Sequence, residues 1–304
     1  MMHTDHIRID PAYREALRAC GLDRVEAVLT RVEGRVAAWS RTTDTLYVAG
    51  PAGEPGFYLK RYYYSRWRNR VRGTFRGTFF GLHRGESEFR ALCRMRALGI
   101  PAVRPVAYGC RRLGHFVTAC FLITEEVPQA ANLTSFANDV ATGRRTVSGA
   151  QRRAMARQLA DQLSEMHAAG FAHGQLFWRN VLVRIGPYGE PEFFFIDAQP
   201  PKRWQRLARN ASWWLSELAD VTASATPFTT RAERLRFVRH YFRVARLTPE
   251  IKDQIRTVAR NARRWRRHES QRIKMSNLFD DWNRQLRLDA EGGPAAAPTA
   301  RVEP

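Results

Sequence analysis

The chain has 304 residues, 44% hydrophobic and 26% charged, a balance that excludes wholesale disorder and suits two ordinary domains or one large bilobal one. Lys and Arg number 50 against 29 acidic residues, a formal charge of +21, and the only lysines are Lys60, Lys202, Lys252 and Lys274. The basicity is therefore guanidinium, which forks onto phosphate and carboxylate, and its excess implies a polyanionic partner: nucleic acid, an anionic membrane face or a phosphorylated substrate. No stretch approaches the roughly 20 apolar residues of a membrane span, and the longest apolar run lies in FVTACFLI (116–123). The N-terminal MMHTDHIRIDPAYRE has no apolar h-region, so no secretory leader is expected. Cys20, Cys93, Cys110 and Cys120 fall in no CxxC or zinc spacing, so they are expected reduced and structural, in a reducing cytoplasm.

Residues 1–10 are expected to fray. Tyr13, Leu17 and Cys20 stand at near-helical spacing, with Gly21 as a stop. RVAAWS and TLYVA, between Gly34 and Ala49, read as two strands joined by a turn; GPAGEPG (50–56) is a loop and FYLKRYYY (57–64) a further strand. Residues 86–98 predict a helix with Phe89, Leu92 and Met95 on one face, stopped by Gly99. VAYG and HFVTACFLITEEV predict two strands, with CRRLG as the turn between them. Ser148 and Gln151 form a capping box for a helix carrying Met155, Leu159, Leu163 and Met166 and ending at Gly170. FAHGQLFWRN is a loop, and VLVRI (181–185) and EFFFID (192–197) form a hairpin through GPYGEP. Helices are predicted over 203–220, 231–246 and 249–268, and a disordered tail over the last 15 or so residues.

A strand-rich first part with one helix thus precedes a helical second part. There a helix leads into a loop with His173, Asn180 follows seven residues later, and a short hairpin ends on Asp197. Phosphoryl transfer is mostly positioning and charge neutralisation, with a fixed cation for the phosphates on one side and hard oxygen ligands for Mg²⁺ on the other. A hairpin with an oxygen-bearing side chain at each end brings two such ligands to one spot.

The order FYLKRYYY, GESEFRALCRMRALGIPAVRPVAYG, HGQLFWRNVLVRI, FFFIDAQP resembles the lipopolysaccharide kinase (Kdo/WaaP) family over about residues 34–285. It is similar, more distantly, to aminoglycoside-type and RIO-type kinases. The resemblance implies an α+β, bilobal protein-kinase-like fold, with a β-rich N-lobe holding one main helix and a mostly helical C-lobe. The expected divisions are an N-terminal extension (1–33), N-lobe (34–128), C-lobe (129–288) and tail (289–304). It implies that Lys60 contacts ATP phosphates, that Glu88 pairs with Lys60 (with Glu86, two residues away, as the competing carboxylate), and that Asn180 and Asp197 hold Mg²⁺. His173 is expected to brace the loop rather than act as a base.

The departures matter as much. The family carries His-x-Asp-x-x-x-x-Asn, its Asp accepting the proton of the attacking hydroxyl; here Gln175 stands at that place. An amide takes no proton, although it accepts a hydrogen bond and can orient a hydroxyl. General base catalysis contributes about 10²–10⁴-fold, so a slow ATP-dependent kinase and a nucleotide-binding pseudokinase both remain open. Ala198 and Gln199 follow Asp197 where Phe-Gly is usual, and GPAGEPG lies too close to Lys60 to be the phosphate loop, so nucleotide cover is expected from residues 35–49. Residues 61–84, with seven Arg, seven aromatics and no acid, admit four readings. These are a grip on lipid phosphates, an interfacial anchor, a single-strand nucleic-acid platform, or a solvated loop. ARNARRWRRHESQRIK (259–274) reads as a solvated helix face. The expected partners are an anionic glycolipid or other phosphorylated substrate and the inner face of the cytoplasmic membrane, with nucleic acid disfavoured. The expected location is cytoplasmic, with peripheral attachment to the inner membrane.

Overall fold

Alternating burial builds the upper sheet. Leu46 and Val48 on one strand and Phe57 and Leu59 on the next are buried while their neighbours are less so, and this period of two turns one face inward. The computed structural model describes residues 3–40, 42–64, 79, 81–199 and 213–290. The upper sheet is antiparallel, in the order β1-β5-β6-β4-β3-β2. Its strands are β1 His3–Ile9, β2 Arg35–Ser40, β3 Thr43–Val48, β4 Phe57–Tyr63, β5 Pro105–Leu113 and β6 Phe116–Glu125. Two short helices, α1 Arg14–Ala19 and α2 Val25–Thr30, bury Leu17, Val25 and Val28 against Leu59, Val106 and Ile123.

The N-terminal residues are paired rather than frayed. β1 runs antiparallel to β5 from His3 opposite Leu113 to Ile9 opposite Ala107, and Arg111 holds Asp5 bidentately at 2.7 and 2.9 Å. Only Ile7 and Ile9 of this edge strand meet the core, so HTDHIRI shows no apolar run. CRRL belongs to β5, and the turn is Gly114–His115, with Gly114 at φ +58°. The helix α3, Arg84–Ala97, lies on β5 and β6. A Cβ on Gly85 would sit 2.2 Å from the Phe121 carbonyl oxygen, so this glycine is what lets the first turn of α3 touch β6.

The lower part holds a small sheet, β7 Ala131–Asn132, β8 Val181–Ile185 and β9 Pro191–Phe195, among five helices of the described residues. These are α4 Leu133–Ala141, α5 Gly149–Ala168, α6 Trp213–Ala225, α7 Arg231–Tyr241 and α8 Pro249–Ala290. The Ser148–Gln151 capping box is formed at α5. No periodicity announces α4, whose TSFANDV is rich in poor helix formers; Asn132 starts it by accepting from Ser135 N at 2.9 Å. The last helix extends well past residue 268 and includes Asp289 and Ala290, because no Gly or Pro interrupts the chain before Gly292. Residues 291–304, the start of the helix predicted from 203, and Arg66, Arg68, Arg70, Arg72 and Arg76 lie outside the described residues.

After α3 the chain crosses to the lower part along β9. Phe195 N donates to Pro101 O at 3.0 Å and Val103 N to Phe195 O at 3.1 Å. One apolar core runs from Leu92 and Met95 of α3 through Val103 to Phe195, Leu163 and Leu218. The two lobes are thereby joined at the strand that ends beside Asp197. All four cysteines are free, and no described helix is long and apolar enough to cross a membrane.

Candidate active site

Strand parity places Lys60 and Tyr62 on the same face of β4, toward α3. Lys60 Nζ lies 3.2 and 3.3 Å from the two carboxylate oxygens of Glu88 and also pairs with Asp197 of the lower lobe. The Tyr62 hydroxyl donates to Glu88 Oε2 at 2.5 Å. Glu88, not Glu86, faces the lysine; Glu86 accepts from Arg90 at 2.7 Å and from the Tyr108 hydroxyl at 3.3 Å.

Burial pushes the three charged groups toward neutrality, and their mutual placement decides the outcome. For Lys60 burial acts downward, but Asp197 and Glu88 outweigh it and hold the ammonium above the ordinary lysine value. Burial pushes Glu88 up to about 7 against the attraction of Lys60, with Asp197 adding repulsion. Burial acts upward on Asp197 too, but Lys60 brings its carboxyl below the usual range. Asp197 therefore carries its charge firmly, at φ +59°, a left-handed backbone uncommon outside glycine and tolerated best by Asn and Asp.

The loop from His173 to Asn180 is held from beneath. His173 Nε2 meets Ile196 O at 2.9 Å, one residue before Asp197, and Gln199 N donates to His173 O at 2.7 Å. Burial pushes the His173 imidazole down, so it is a neutral brace. Glu217 on α6 accepts from His173 N at 3.1 Å and from Gly174 N, and its Oε2 lies 3.1 Å from His167 Nε2. Burial acts upward on Glu217, and the His167 hydrogen bond and charge bring it below the ordinary range. Asn180 O accepts from Ile196 N at 3.0 Å, and Asn180 Nδ2 donates to Gln175 O at 2.9 Å. The Gln175 amide donates to Gln199 Oε1 at 3.4 Å, and Arg84 reaches the same oxygen at 3.5 Å from the first turn of α3.

All five residues singled out in the sequence meet in one place. Lys60, Glu88 and Asp197 touch; Asn180 lies across the hairpin end from Asp197; Gln175 joins through Asn180 and Gln199. Tyr62 and Glu217 belong to the same network and went unread. For Tyr62 the signal was its i+2 spacing from Lys60, and for Glu217 an acid embedded in the apolar run WWLSELADV (213–221).

The donors present suit a hard divalent ion. An ionised Asp197 carboxylate and the amide oxygen of Asn180, whose Nδ2 is already committed to the loop, stand at the open end of the β8–β9 hairpin. Among the described residues no cluster of three or more His, Cys, Asp or Glu is placed to hold a metal. An ion here would take its remaining ligands from phosphate and water, as magnesium commonly does in phosphoryl-transfer sites.

The lipopolysaccharide kinase (Kdo/WaaP) family model matches residues 24–241. The lipopolysaccharide core heptose(I) kinase WaaP of Pseudomonas aeruginosa is 28% identical over 158 residues, 51% of this chain and 58% of that protein. Its counterpart from Escherichia coli is 24% identical over 159 residues, 52% and 59% respectively. The matched region thus spans under two thirds of the length of either relative. A solved structure of WaaP in complex with acyl carrier protein shares the fold, with a TM-score of 0.58 over 88% of this chain and 99% of that one, at 22% identity.

Proposed function

The chain belongs to the lipopolysaccharide kinase (Kdo/WaaP) family, and from that premise we propose that it is an ATP-dependent phosphotransferase acting on a sugar hydroxyl of the lipopolysaccharide core. Kinases of this family use ATP and a divalent metal; the assignment of that metal to Mg²⁺ is supported by the hard-oxygen donor pair Asp197 and Asn180. The observation that carries the reading is the Lys60 ammonium from the upper lobe meeting Glu88 and, across the lobes, Asp197.

The bound metal–nucleotide supplies charge neutralisation and the transferable γ-phosphoryl group. Lys60 is placed to bind phosphate oxygens, with Glu88 and Tyr62 fixing the reach of its side chain. Asp197 and Asn180 are the metal-holding residues. Gln175 orients the acceptor hydroxyl by accepting its hydrogen bond; since an amide takes no proton, the hydroxyl proton would leave to water or to an oxygen of the transferred phosphoryl group, with ADP as the leaving group, which predicts slow turnover.

A second reading, an ATP-binding pseudokinase that scaffolds envelope assembly, is favoured by one observation, the amide at Gln175. Transfer of labelled phosphate from ATP to purified core lipid separates the two. Incorporation lost in Lys60→Met and Asp197→Ala supports the kinase. Incorporation by the parent chain no greater than that of Asp197→Ala, with an ATP-dependent thermal shift retained, supports the pseudokinase.

The WaaP solved with acyl carrier protein suggests a protein partner as well. An apolar cavity of about 580 Å³ between α4, α5, α7 and α8, lined by Phe136, Met155, Leu159, Trp178 and Phe237, is of a chemistry that accepts an aliphatic chain.

A further inference from the structure

We propose that the outward face of α8 is a docking surface for an anionic phospholipid bilayer. The proposal draws on the kinase reading in one respect, that a glycolipid acceptor would bring the chain to a membrane; the surface itself is read from charge and exposure.

Val258, Ala262, Glu269 and Ile273 recur at helical spacing and are buried, so they mark the inner face of α8, toward α6 and α4. Between residues 256 and 274 the helix carries eight Arg and Lys, every one of them exposed. Its one acid over that span is Glu269, buried and engaged by Arg179 and Ser224. Arg256 is paired with Asp253 of the same helix at 3.9 Å, but from Arg260 to Lys274 no exposed acid of the helix offsets the charge on the outer side.

At 100° per residue the face opposite the buried one carries Arg260, Arg264 and Arg267, followed by Met275, Leu278 and Trp282. Met275 is 65% and Leu278 63% exposed, and Trp265 on the flank is 49% exposed. From Arg260 to Trp282 this stripe runs about 33 Å, basic at one end and apolar at the other. The helix lacks the hydropathy to span a bilayer, so its mode is to lie on the surface, with guanidinium groups among lipid phosphates and the apolar end in the headgroup boundary. A nucleic acid would satisfy the arginines and leave Met275 and Leu278 in water. A bilayer with anionic headgroups takes both.

The test is sedimentation of the full chain with vesicles of phosphatidylglycerol and phosphatidylethanolamine, and separately of phosphatidylcholine alone. Binding to the anionic vesicles is expected to exceed that to the zwitterionic ones by at least about tenfold and to weaken as salt rises. The triple variant Arg260→Glu, Arg264→Glu, Arg267→Glu should lose that preference. Met275→Ser with Leu278→Ser, which leaves the charge intact, should lower binding several-fold and serves as the second test if the triple variant folds poorly. Equal binding to both vesicle types, anionic binding unchanged in both variants, or binding only to a single-stranded oligonucleotide or to acyl carrier protein overturns the proposal. Transfer to a detergent-dispersed acceptor should be unaltered in the triple variant. If the parent chain sediments with anionic vesicles yet transfers nothing to that acceptor, the kinase reading fails and the surface stands.

Discussion

Tyr62 donates its hydroxyl proton to Glu88 Oε2 at 2.5 Å, with both side chains almost wholly buried. Burial and the neighbouring Glu88 carboxylate keep the phenol protonated far above its ordinary range, so it is a permanent donor. The ring also lies beneath two cations, with Lys60 Nζ 5.4 Å and Arg84 Cζ 4.6 Å from its centre. Tyr62 therefore fixes the carboxylate that fixes the lysine. Tyr62→Phe removes one oxygen and leaves a buried carboxylate short of a donor, which costs about 2 kcal/mol. The urea midpoint should fall accordingly, and ATP should bind several-fold more weakly because Glu88 no longer holds one rotamer. A loss under about 0.5 kcal/mol, with unchanged nucleotide affinity, would show that the bond carries nothing.

Glu217 plays the corresponding part below the cleft. Two backbone N–H groups of the loop, from His173 and Gly174, end on its carboxylate. Glu217→Ala orphans both donors in a buried site and frees His167, a loss of about 3 kcal/mol or more. Glu217→Gln keeps the shape but turns an amide NH₂ toward donors, so it should recover only part of that stability. Thermal unfolding of the two variants against the parent checks the order, and rescue to full stability by Gln would mean that charge and acceptor count are irrelevant there.

How much of this was legible in the sequence depended on whether a contact is local. Lys60, Glu88, Gln175, Asn180 and Asp197 are marked by residue type and by order along elements whose periodicity is strong, and they meet. β1 was not legible, because its partner lies about a hundred residues away and a polar edge strand leaves no pattern in its own residues. Tyr62 was hidden among three consecutive tyrosines; only the strand's period of two separates the one facing α3 from its neighbours. Glu217 and Glu269 are acids whose partners are loop or side-chain groups far off in sequence, so burial alone reveals them. The long α8 was cut short at residue 268 by a charge run that reads as solvated, although nothing in it breaks a helix.

Gln175 gives the sharpest catalytic prediction. Its backbone carbonyl, not its side chain, receives Asn180 Nδ2, and its amide makes one long contact, 3.4 Å to Gln199. The side chain is thus changeable without dismantling the loop. Gln175→Asp places a proton acceptor where the acceptor hydroxyl is proposed to lie, and kcat for transfer to core lipid should rise by about 10²-fold or more with little change in KM. Gln175→Ala should lower transfer modestly. A fall in kcat with Asp as large as that with Ala would place the acceptor hydroxyl away from this residue.

Asp220 on α6 predicts a pH dependence of stability in the same direction as that of Glu88 in the cleft. Burial raises its carboxyl to about 7, nearby Glu217 adds repulsion, and the Leu176 backbone N–H only partly offsets them. The unfolded chain gives up this proton near pH 4, whereas the folded one retains it until about pH 7. Between those values the unfolded state binds fewer protons, so this group's contribution falls as pH rises and levels off above about 7. Asp220→Asn keeps an oxygen for the Leu176 N–H and has no charge to bury. It should be more stable than the parent at pH 8 by on the order of 2 kcal/mol. The advantage should shrink steadily toward pH 4 and vanish there. Urea unfolding of parent and variant across this range measures it, and a difference independent of pH would mean that Asp220 is already ionised in the fold.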